Sequence, residues 1–464
     1  MERTWAISGI DLHVEVGGTR VARSLERELR AAVTGGRLPA GTRLPSSRTL
    51  GADLGIARNT VAEVYGRLAA EGWLESRVGA GTWVARRPGP PPAGADAEPP
   101  PPPALDLRGG IPDPSAFPRG EWAAALRRAV ESAPADAFDY PDPRGAAPLR
   151  EALAGYTARA RGVRARAENV VVGHGFGDLL ALLCRALARR GARRIAVEAY
   201  GHGRHRRIAA AHGLEPVPVP VDADGADVAA LEGLDVGAVL LTPAHQFPTG
   251  AVLSPERRRA LVRWAQRRDA LVLEDDYDGE FRYDRRAVGA VQALAPDRVV
   301  YLGTASKSLA PGLGTAWAVA PAGLVPELVG LRELSGAGHH VPGQLALADL
   351  ITSHRYDLAV RRARAVHRDR RRAVAAAVAG LPGCSLSGPE AGLHCPLELP
   401  AGVSEAAVSA EAARRGLALE GLASFGSGAP ERGPAMVIGY GAPRPHLFAP
   451  ALAAAVAAVA AHLP

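Results

Sequence analysis

The chain has 464 residues, of which 47% are hydrophobic and 22% are charged, and its formal net charge is +7. This length predicts two or more domains, and the composition is that of a soluble globular protein whose charge permits nucleic-acid binding without requiring it. The sequence contains no apolar run long enough to predict a membrane span, and it has no apolar N-terminal segment that would predict a signal peptide. The three scattered cysteines argue against a disulfide framework or a zinc site, so we expect a cytoplasmic protein that holds no metal.

The first 87 residues have the order of elements found in a winged helix-turn-helix. Apolar residues spaced near four apart predict a helix over 20–34. The Leu-Pro-Ser-Ser-Arg stretch at 44–48 begins a second helix, which ends at Gly55. A third helix opens at residues 57–60. The alternating segment 73–84 surrounds a glycine-rich tip and predicts a two-stranded hairpin.

Residues 41–62 read GTRLPSSRTLGADLGIARNTVA, which resembles the DNA-binding module of GntR-type regulators almost position by position. The resemblance implies that two arginines contact phosphates or base edges, that the two residues after the second arginine face the major groove, and that two glycines let the wing approach DNA. Those residues are Arg48, Arg58, Asn59, Thr60, Gly79 and Gly81. Ala57 stands where the family often has Thr or Ser, so one hydroxyl contact is missing.

A proline-rich linker is predicted over 88–104, because runs of prolines there lack any apolar periodicity. From residue 105 to residue 464, short apolar runs alternate with Ala-, Leu- and Arg-rich helical stretches. This alternation predicts an α/β domain with a mainly parallel sheet, whose ligand lies at the strand ends. The predicted strands begin at residues 169, 194, 237, 270 and 298.

Lys307 is the only lysine of the chain, and every other basic residue apart from histidine is an arginine. Arginine can replace lysine at most surface positions, but not where a neutral, nucleophilic amine is needed. The role that most needs such an amine is a Schiff base with a carbonyl, as in pyridoxal phosphate (PLP) chemistry. A coding bias that erased lysines and left one by chance is the alternative, and the neighbouring residues decide between the two.

Residues at the predicted strand ends have the chemistry that PLP requires. Glycines at 173, 175 and 177 lead into a predicted helix over 178–190, and such a turn can cradle a phosphate. Carboxylates at 274–276 end another strand, and a carboxylate beside a pyridine nitrogen keeps that nitrogen protonated. Thr304 and Ser306 flank the lysine and can donate to a phosphate. Each feature alone also fits a tight turn, a helix cap or a solvated acid, and their order favours the site.

Residues 105–464 resemble a fold-type I aminotransferase, and with the GntR-like head the whole chain resembles the MocR/GabR type of transcriptional regulator. The resemblance rests on motifs along the body, at 110–113, 140–145, 242–250, 274–277 and 391–394 and around the lysine. It implies an α/β fold, PLP as the cofactor and a homodimer with shared sites. The residues implied to bind the cofactor are Lys307, Asp275, Tyr277, Gly175, Phe176, Gly177, His202, Thr304 and Tyr140.

The resemblance also implies a role for each of these residues. Lys307 would form the internal aldimine, and Asp275 would pair with the pyridinium nitrogen, with Asp276 as the second choice. Tyr277 would hydrogen-bond the ring hydroxyl. The glycine turn and the threonine would hold the phosphate, and Tyr140 would reach the phosphate of the neighbouring subunit.

Arg206 fits the family position that contacts an effector carboxylate, and Arg432 is a candidate for a second such contact. Two positions depart from the family pattern. Gly314 ends a Pro-Gly-Leu-Gly stretch where the family usually has Pro-Gly-Leu-Arg, so the arginine that serves the PLP phosphate is missing. His202 replaces the aromatic residue that usually stacks on the ring. Both departures bear on cofactor affinity, and neither removes Lys307.

We therefore expect a PLP-dependent transcriptional regulator that binds double-stranded DNA and senses a small amine or amino acid through an external aldimine. Two alternatives stay open. The chain could be a working aminotransferase with a DNA-binding head, or a DNA-binding dimer whose body no longer uses PLP. Gly314 is the residue that most favours the second alternative.

Overall fold

A computed structural model describes residues 4–7, 10–13, 21–77, 80–86, 103–283, 288–335, 340–428 and 432–464, the first two ranges as backbone only. The chain divides into two compact units, Met1–Pro101 and Pro102–Pro464, which are considered separately. The predicted linker over 88–104 lies almost wholly outside the described residues, and so does Gly79. The boundaries predicted for the domains and the linker therefore stay predictions.

The first unit combines three helices with short strands. In chain order its elements are β1 (Thr4–Ile7), β2 (Ile10–His13), α1 (Val21–Thr34), β3 (Arg43–Leu44), α2 (Ser47–Leu54), α3 (Arg58–Ala70), β4 (Leu74–Arg77) and β5 (Gly81–Val84). The side chains of α1, α2, α3 and the small sheet share one apolar core. The first and third helices begin within one residue of their predicted starts, whereas α2 begins at Ser47, three residues after the predicted start at Leu44.

Local sequence explains where the helices of this unit begin and end. Ser46 caps α2 by accepting a hydrogen bond from the Thr49 amide at 3.1 Å. Gly55 ends that helix in the left-handed conformation, at φ 64°. Ala57 precedes α3 without any side-chain cap, as its missing hydroxyl requires. The helix-turn-helix is therefore encoded by single residues at its turns.

The sheet of the first unit has three strands in the order β3-β5-β4, not the two that the sequence predicted. The added strand is Arg43–Leu44, which pairs antiparallel with β5. The sequence places Leu44 at the start of the second helix, and that prediction is wrong. A strand of two residues is too short to show an alternating pattern, so only its partner reveals it.

The second unit is a larger α/β body. Its first half contains β6 (Leu105–Asp106), α4 (Arg119–Ser132), α5 (Ala147–Arg161), β7 (Val170–Gly173), α6 (Phe176–Arg189), β8 (Arg194–Glu198), α7 (Gly203–Ala211), β9 (Glu215–Val219), β10 (Val221–Asp222), β11 (Gly225–Ala226), β12 (Ala238–Leu241), α8 (Pro255–Arg268) and β13 (Leu271–Asp275). Its second half contains β14 (Val299–Thr304), β15 (Ala316–Val319), α9 (Val325–Ser335), α10 (Val341–Thr352), α11 (Arg355–Val378), β16 (Ser385–Leu386), β17 (His394–Glu398), α12 (Glu405–Arg414), β18 (Leu417–Ala418), β19 (Glu420–Gly421), β20 (Ala435–Gly439) and α13 (Pro445–Ala460).

A seven-stranded sheet with the order β7-β15-β14-β13-β12-β8-β9 organises this body. β15 runs antiparallel to both of its neighbours, and the other pairs are parallel. The five predicted strands all form, each within a residue of the predicted start. The expected α/β body with a mainly parallel sheet is confirmed.

Helices cover both faces of this sheet. On β14, Val300 and Leu302 lie in one apolar cluster with residues of α6 and α9. Tyr301 points the other way and lies in a second cluster with residues of α5 and α10. A smaller sheet, β16-β17-β20-β19, packs with α11, α12 and α13 around a third cluster. Across the described ranges, every helix is too short or too polar to cross a membrane.

Candidate functional site

The carboxyl ends of β8, β12, β13 and β14 border a cavity of about 340 Å³ in the second unit. Parallel strands end at the same edge of a sheet, so residues that are distant in the chain meet there. Most of the predicted cofactor and effector residues line this cavity. They are Lys307, Asp275, Tyr277, Gly175, Phe176, Gly177, His202, Thr304 and Arg206.

Lys307 lies just beyond the end of β14, in the turn that follows Thr304. Its Nζ atom donates a 2.6 Å hydrogen bond to the backbone carbonyl of Gly110. Burial lowers the pKa of the Lys307 amine, and the nearby charges of Asp275 and Asp278 oppose that shift only in part. The environment therefore favours the neutral, nucleophilic amine that a carbonyl-binding lysine needs.

Asp275 and Asp276 are both buried, but only Asp275 lines the cavity. Its Oδ1 atom is buried without a hydrogen-bond partner, and desolvation raises the pKa of its carboxyl well above the usual value. Asp276 instead forms a bidentate pair with Arg161, with N–O distances of 2.6 and 3.0 Å, and accepts from the Tyr301 hydroxyl at 2.8 Å. Asp275 is therefore the aspartate whose carboxylate is available to a ligand.

The hydroxyl of Tyr277 lies in a buried polar network behind the cavity. It donates to the His245 backbone carbonyl and lies 3.2 Å from His245 Nδ1, which is itself 2.8 Å from Asp278 Oδ2. The ring centroid of His394 lies 4.8 Å from that of His245, with an angle of 41° between the rings. Donor atoms of these two histidines and Asp278 lie within 4.8 Å of one another, which is a set of ligand types that a metal can use.

The glycine turn before α6 forms one wall of the cavity. Gly175 precedes the helix with φ 98°, a conformation that side chains disfavour, and Phe176 and Gly177 begin it. The first backbone N–H groups of a helix have no partner within it, so they can bind an anion. Thr304 faces the same cavity and binds the Thr315 carbonyl through its hydroxyl at 3.2 Å.

His202 stacks on Phe247, with ring centroids 4.0 Å apart and an angle of 15° between the rings. Burial and the charge of Lys307 lower the pKa of His202 to about 4. The imidazole is therefore neutral near pH 7 and offers a flat face in the cavity wall. This placement is compatible with the stacking role that the sequence predicts.

The two arginines proposed for an effector carboxylate lie in different environments. Arg206 lines the cavity and donates to the Phe425 carbonyl at 3.2 Å, and burial lowers its pKa. Arg432 is not part of the cavity wall, and its charge acts on Tyr200 and Asp222 instead. Of these two arginines, only Arg206 lies in the cavity that holds Lys307.

Tyr140 also lies apart from the Lys307 cavity. Its side chain is 98% exposed and borders a larger cavity, of about 830 Å³, that includes residues of α5 and α10. Phe138, two residues earlier, is 51% exposed. Within one subunit, Tyr140 therefore contributes nothing to the site around Lys307.

Three features around Lys307 fit PLP, namely the volume of the cavity, the helix that begins at its glycine turn and the unpartnered oxygen of Asp275. A cavity of about 340 Å³ is within the range of small-molecule sites, and a helix begins at its glycine turn. The buried, unpartnered oxygen of Asp275 needs a cationic or donating partner, which a pyridinium N–H provides. Gly314, the departure from the family pattern, lies in the wall with φ 56° and brings no charge there.

The predicted DNA-contact residues of the first unit lie at the starts of two helices. Arg48 is exposed in the first turn of α2, and Arg58 and Asn59 are exposed in the first turn of α3, with Thr60 half-buried beside them. Gly81 begins β5 with φ 128°, close to the Arg43 guanidinium. The helix-turn-helix therefore presents a basic, solvent-facing edge.

The chain matches two known families, one for each unit. Residues 21–84 match "Bacterial regulatory proteins, gntR family", and residues 111–432 match "Aminotransferase class I and II". The second match covers more than half of the chain.

Several transcriptional regulators are similar to this chain over most of their length. The HTH-type pyridoxine biosynthesis transcriptional regulator PdxR of Corynebacterium glutamicum is 33% identical over 395 residues, 82% of this chain and 83% of that protein. The probable rhizopine catabolism regulatory protein MocR of Rhizobium meliloti is 35% identical over 376 residues, 75% of each chain. The HTH-type transcriptional regulator TauR of Rhodobacter capsulatus is 33% identical over 393 residues, 76% of this chain and 80% of its own.

Solved aminotransferases share the fold of the second unit. A kynurenine aminotransferase of Pyrococcus horikoshii superposes with a TM-score of 0.69 at 24% identity, covering 78% of this chain and 91% of its own. LysN, an α-aminoadipate aminotransferase of Thermus thermophilus, superposes with a TM-score of 0.67 at 25% identity, covering 76% and 92%. LysN was solved with N-(5'-phosphopyridoxyl)-L-leucine bound.

Several residues of the cavity were not predicted from sequence. Arg204 and His205 line it, as does Glu198, whose carboxylate is held by Thr242 and Gln246. The motif at 242–250 contained a signal for the last two, since polar residues in an otherwise apolar region mark a strand end. Arg204 had no such signal, because it is one of many arginines.

Proposed function

Because the chain belongs to the MocR type of GntR-family transcriptional regulators, with an aminotransferase class I and II body, we propose that a small amine or amino acid controls its binding to DNA. The ligand enters the cavity of Lys307 when PLP is bound there. PLP supplies an aldehyde that reacts with primary amines and a ring that withdraws electrons.

One observation carries this proposal. A half-buried amine with a lowered pKa, Lys307, and a buried carboxylate with an unpartnered oxygen, Asp275, line the same cavity. Each is costly to bury alone, and a ligand with both a carbonyl and a protonated ring nitrogen satisfies both. A body that served only as a scaffold would gain nothing from keeping them.

The other cavity residues have roles that follow from their contacts. The amides of the first turn of α6 bind an anionic group, and the flat, neutral ring of His202 covers a planar one. Arg206 can bind the carboxylate of an amino acid with two parallel hydrogen bonds if it exchanges its present bond to the Phe425 carbonyl. Binding of an amino acid would then break a hydrogen bond within the protein, which is one way for the ligand to change its conformation.

We also propose that the chain works as a homodimer. Two aromatic side chains, Tyr140 and Phe138, are exposed beside a wide cavity in the body, and a second copy of the chain would cover them. A dimer presents two helix-turn-helix units to two half-sites of DNA, which suits a symmetric operator.

The test uses the purified full-length protein and DNA selected by it from a random pool. DNA affinity is measured without PLP, with PLP, and with PLP plus each of a panel of amines and amino acids. We expect one class of amine to change both the absorption spectrum of bound PLP and the DNA affinity over the same concentration range. Since binding coupling is reciprocal, the selected DNA should shift the affinity for that amine by the same factor.

Two outcomes would contradict the proposal. Steady-state transamination at ~1 per second or faster would favour a working aminotransferase, since that is in the ordinary enzymatic range. DNA affinity that ignores PLP and every amine tested would favour a body without a regulatory ligand. Lys307→Arg is the matched control, because it keeps a positive charge and removes the reactive amine.

A further inference from the structure

The family resemblance places a phosphate-binding arginine at position 314, where this chain has glycine, so another cation of the cavity would have to meet the phosphate of PLP. Gly314 lies in the cavity wall and ends a short helical turn in the left-handed conformation, at φ 56°. The other cations of the described cavity wall are Lys307, Arg204 and Arg206. Lys307 is the reactive amine, and Arg206 donates to the backbone carbonyl of Phe425. Arg204 is the remaining candidate.

Arg204 lies directly beside the glycine turn that cradles the phosphate. Its Nη2 atom is 3.3 Å, and its Cζ atom 3.7 Å, from the point that a Cβ atom on Gly177 would occupy. Gly177 is in the first turn of α6, whose free amides line the cavity. The missing side chain at Gly177 thus leaves room for the guanidinium, and any larger residue there would have to displace it.

The guanidinium of Arg204 is also uncommitted. The residue is exposed, and within the described ranges no hydrogen bond or ion pair holds its side chain. By contrast, Asp178, the acidic residue of the same helix turn, is already paired with Arg332 at 3.0 Å. The charge of Arg204 is near enough to contribute to the lowered pKa of His205, which follows mainly from burial. Among the described residues, no carboxylate forms an ion pair with this positive charge at the helix N-terminus.

We propose that Arg204, on α7, binds the PLP phosphate and replaces the arginine that is missing at Gly314. The inference rests on the assignment of PLP to this cavity. It explains how the chain can dispense with the usual residue: a cation reaches the same group from another element, with a helix N-terminus adding its own partial charge.

The test measures equilibrium affinity for PLP and for pyridoxal, which has the same ring and aldehyde without the phosphate. We expect Arg204→Ala to weaken PLP binding by about tenfold or more, the factor that a charge-assisted hydrogen bond gives, and to leave pyridoxal binding unchanged. Arg204→Lys should recover part of the loss, since it restores the charge without the fork. Arg207→Ala is the matched control, because that arginine is exposed on the same helix and is not part of the cavity wall.

Inorganic phosphate gives an independent readout. It should compete with PLP for wild-type protein and compete less well for Arg204→Ala. Equal losses for PLP and pyridoxal would overturn the inference and give Arg204 a structural role only. Unchanged PLP affinity in Arg204→Ala would also overturn it, with wild-type binding showing that the cofactor assignment itself survives. If wild-type protein binds neither compound, the proposed function fails and this inference fails with it.

Discussion

Arg161 holds Asp276 through two hydrogen bonds of 2.6 and 3.0 Å, in a pair whose side chains are 5% and 1% exposed. This buried pair separates the roles of two adjacent aspartates. Asp276 neutralises a structural arginine on α5, and Asp275 is left to face the cavity with an oxygen that has no partner. Successive side chains of an extended segment point to opposite faces of the sheet, so the carboxylates of these two aspartates meet different partners.

The first prediction exchanges each aspartate for its amide. Asp276→Asn leaves the Arg161 charge buried without an anion, which typically costs about 3–5 kcal/mol of unfolding free energy. Asp275→Asn should leave stability equal or slightly higher, because an unpaired buried carboxylate is removed. It should weaken PLP binding by about tenfold or more through loss of a charge-assisted bond. Urea unfolding and PLP titration of both variants check this, and the opposite pattern would reverse the two assignments.

The second prediction concerns the only lysine. Borohydride reduction in the presence of PLP should attach a pyridoxyl group covalently to Lys307, because the pKa of that amine is lowered by burial and its neutral form reacts. Peptide mass spectrometry locates the label. Lys307→Arg is the control, and the chain offers only its N-terminal amine as a competing primary amine. Label at the N-terminus alone would remove Lys307 from the cofactor site.

The strands of the body could be predicted because buried parallel strands are continuous apolar runs, and β14 begins one residue after the predicted start. β9 could not be predicted in this way. Its sequence, Glu-Pro-Val-Pro-Val over 215–219, contains two prolines that argue against a strand. It forms at the edge of the sheet, where a proline nitrogen need not donate to a neighbour.

The residues of the candidate site also divide into those that could be predicted from the sequence and those that could not. Lys307 could be identified because no other lysine competes with it. The glycine turn could be identified because its glycines precede a predicted helix, and the φ of 98° at Gly175 explains why glycine is needed there. Arg204 could not be identified, since arginine is the common basic residue of this chain and only its position on α7 distinguishes it. Which aspartate faces the cavity also depended on strand register, and register is a property of the folded sheet.

The third prediction concerns the DNA-binding unit. Arg58 begins the recognition helix, so Arg58→Ala should relax sequence preference at one base position, at a cost of ~1–3 kcal/mol there. Arg48→Ala should weaken binding to all sequences alike and lower the salt slope by about one, as the loss of a phosphate contact does. Both are measured by DNA titration at several salt concentrations.

A matched control for these variants is Arg67→Ala, on the same helix as Arg58. Arg67 is paired with Glu63 and Glu26 and lies in the last turn of α3. We expect its loss to leave DNA affinity nearly unchanged. If Arg58→Ala behaves like Arg67→Ala in both affinity and salt slope, the recognition helix has been assigned wrongly.

The fourth prediction is a pH dependence that comes from Glu198, at the end of β8. Its Oε2 atom accepts hydrogen bonds from the Thr242 hydroxyl at 2.6 Å and the Gln246 amide at 3.2 Å, yet burial raises the pKa of its carboxyl to about 7 from the ordinary 4.5. A raised pKa means that the folded chain binds the proton more tightly than the unfolded chain. The stabilisation that comes from tighter proton binding at Glu198 is therefore fully present below pH 4.5 and is lost as the pH rises to about 7.

Glu198→Gln should remove this dependence, because an uncharged amide is equally neutral at every pH. The melting temperature of the wild-type protein should fall relative to that of Glu198→Gln between pH 5 and about 7, and the gap should then stay constant. The shift corresponds to on the order of 3 kcal/mol across the window. Glu215→Gln, at an exposed carboxylate on the neighbouring strand β9, is the control and should run parallel to wild type. Parallel curves for Glu198→Gln as well would mean that this carboxyl titrates alike in the folded and unfolded chains.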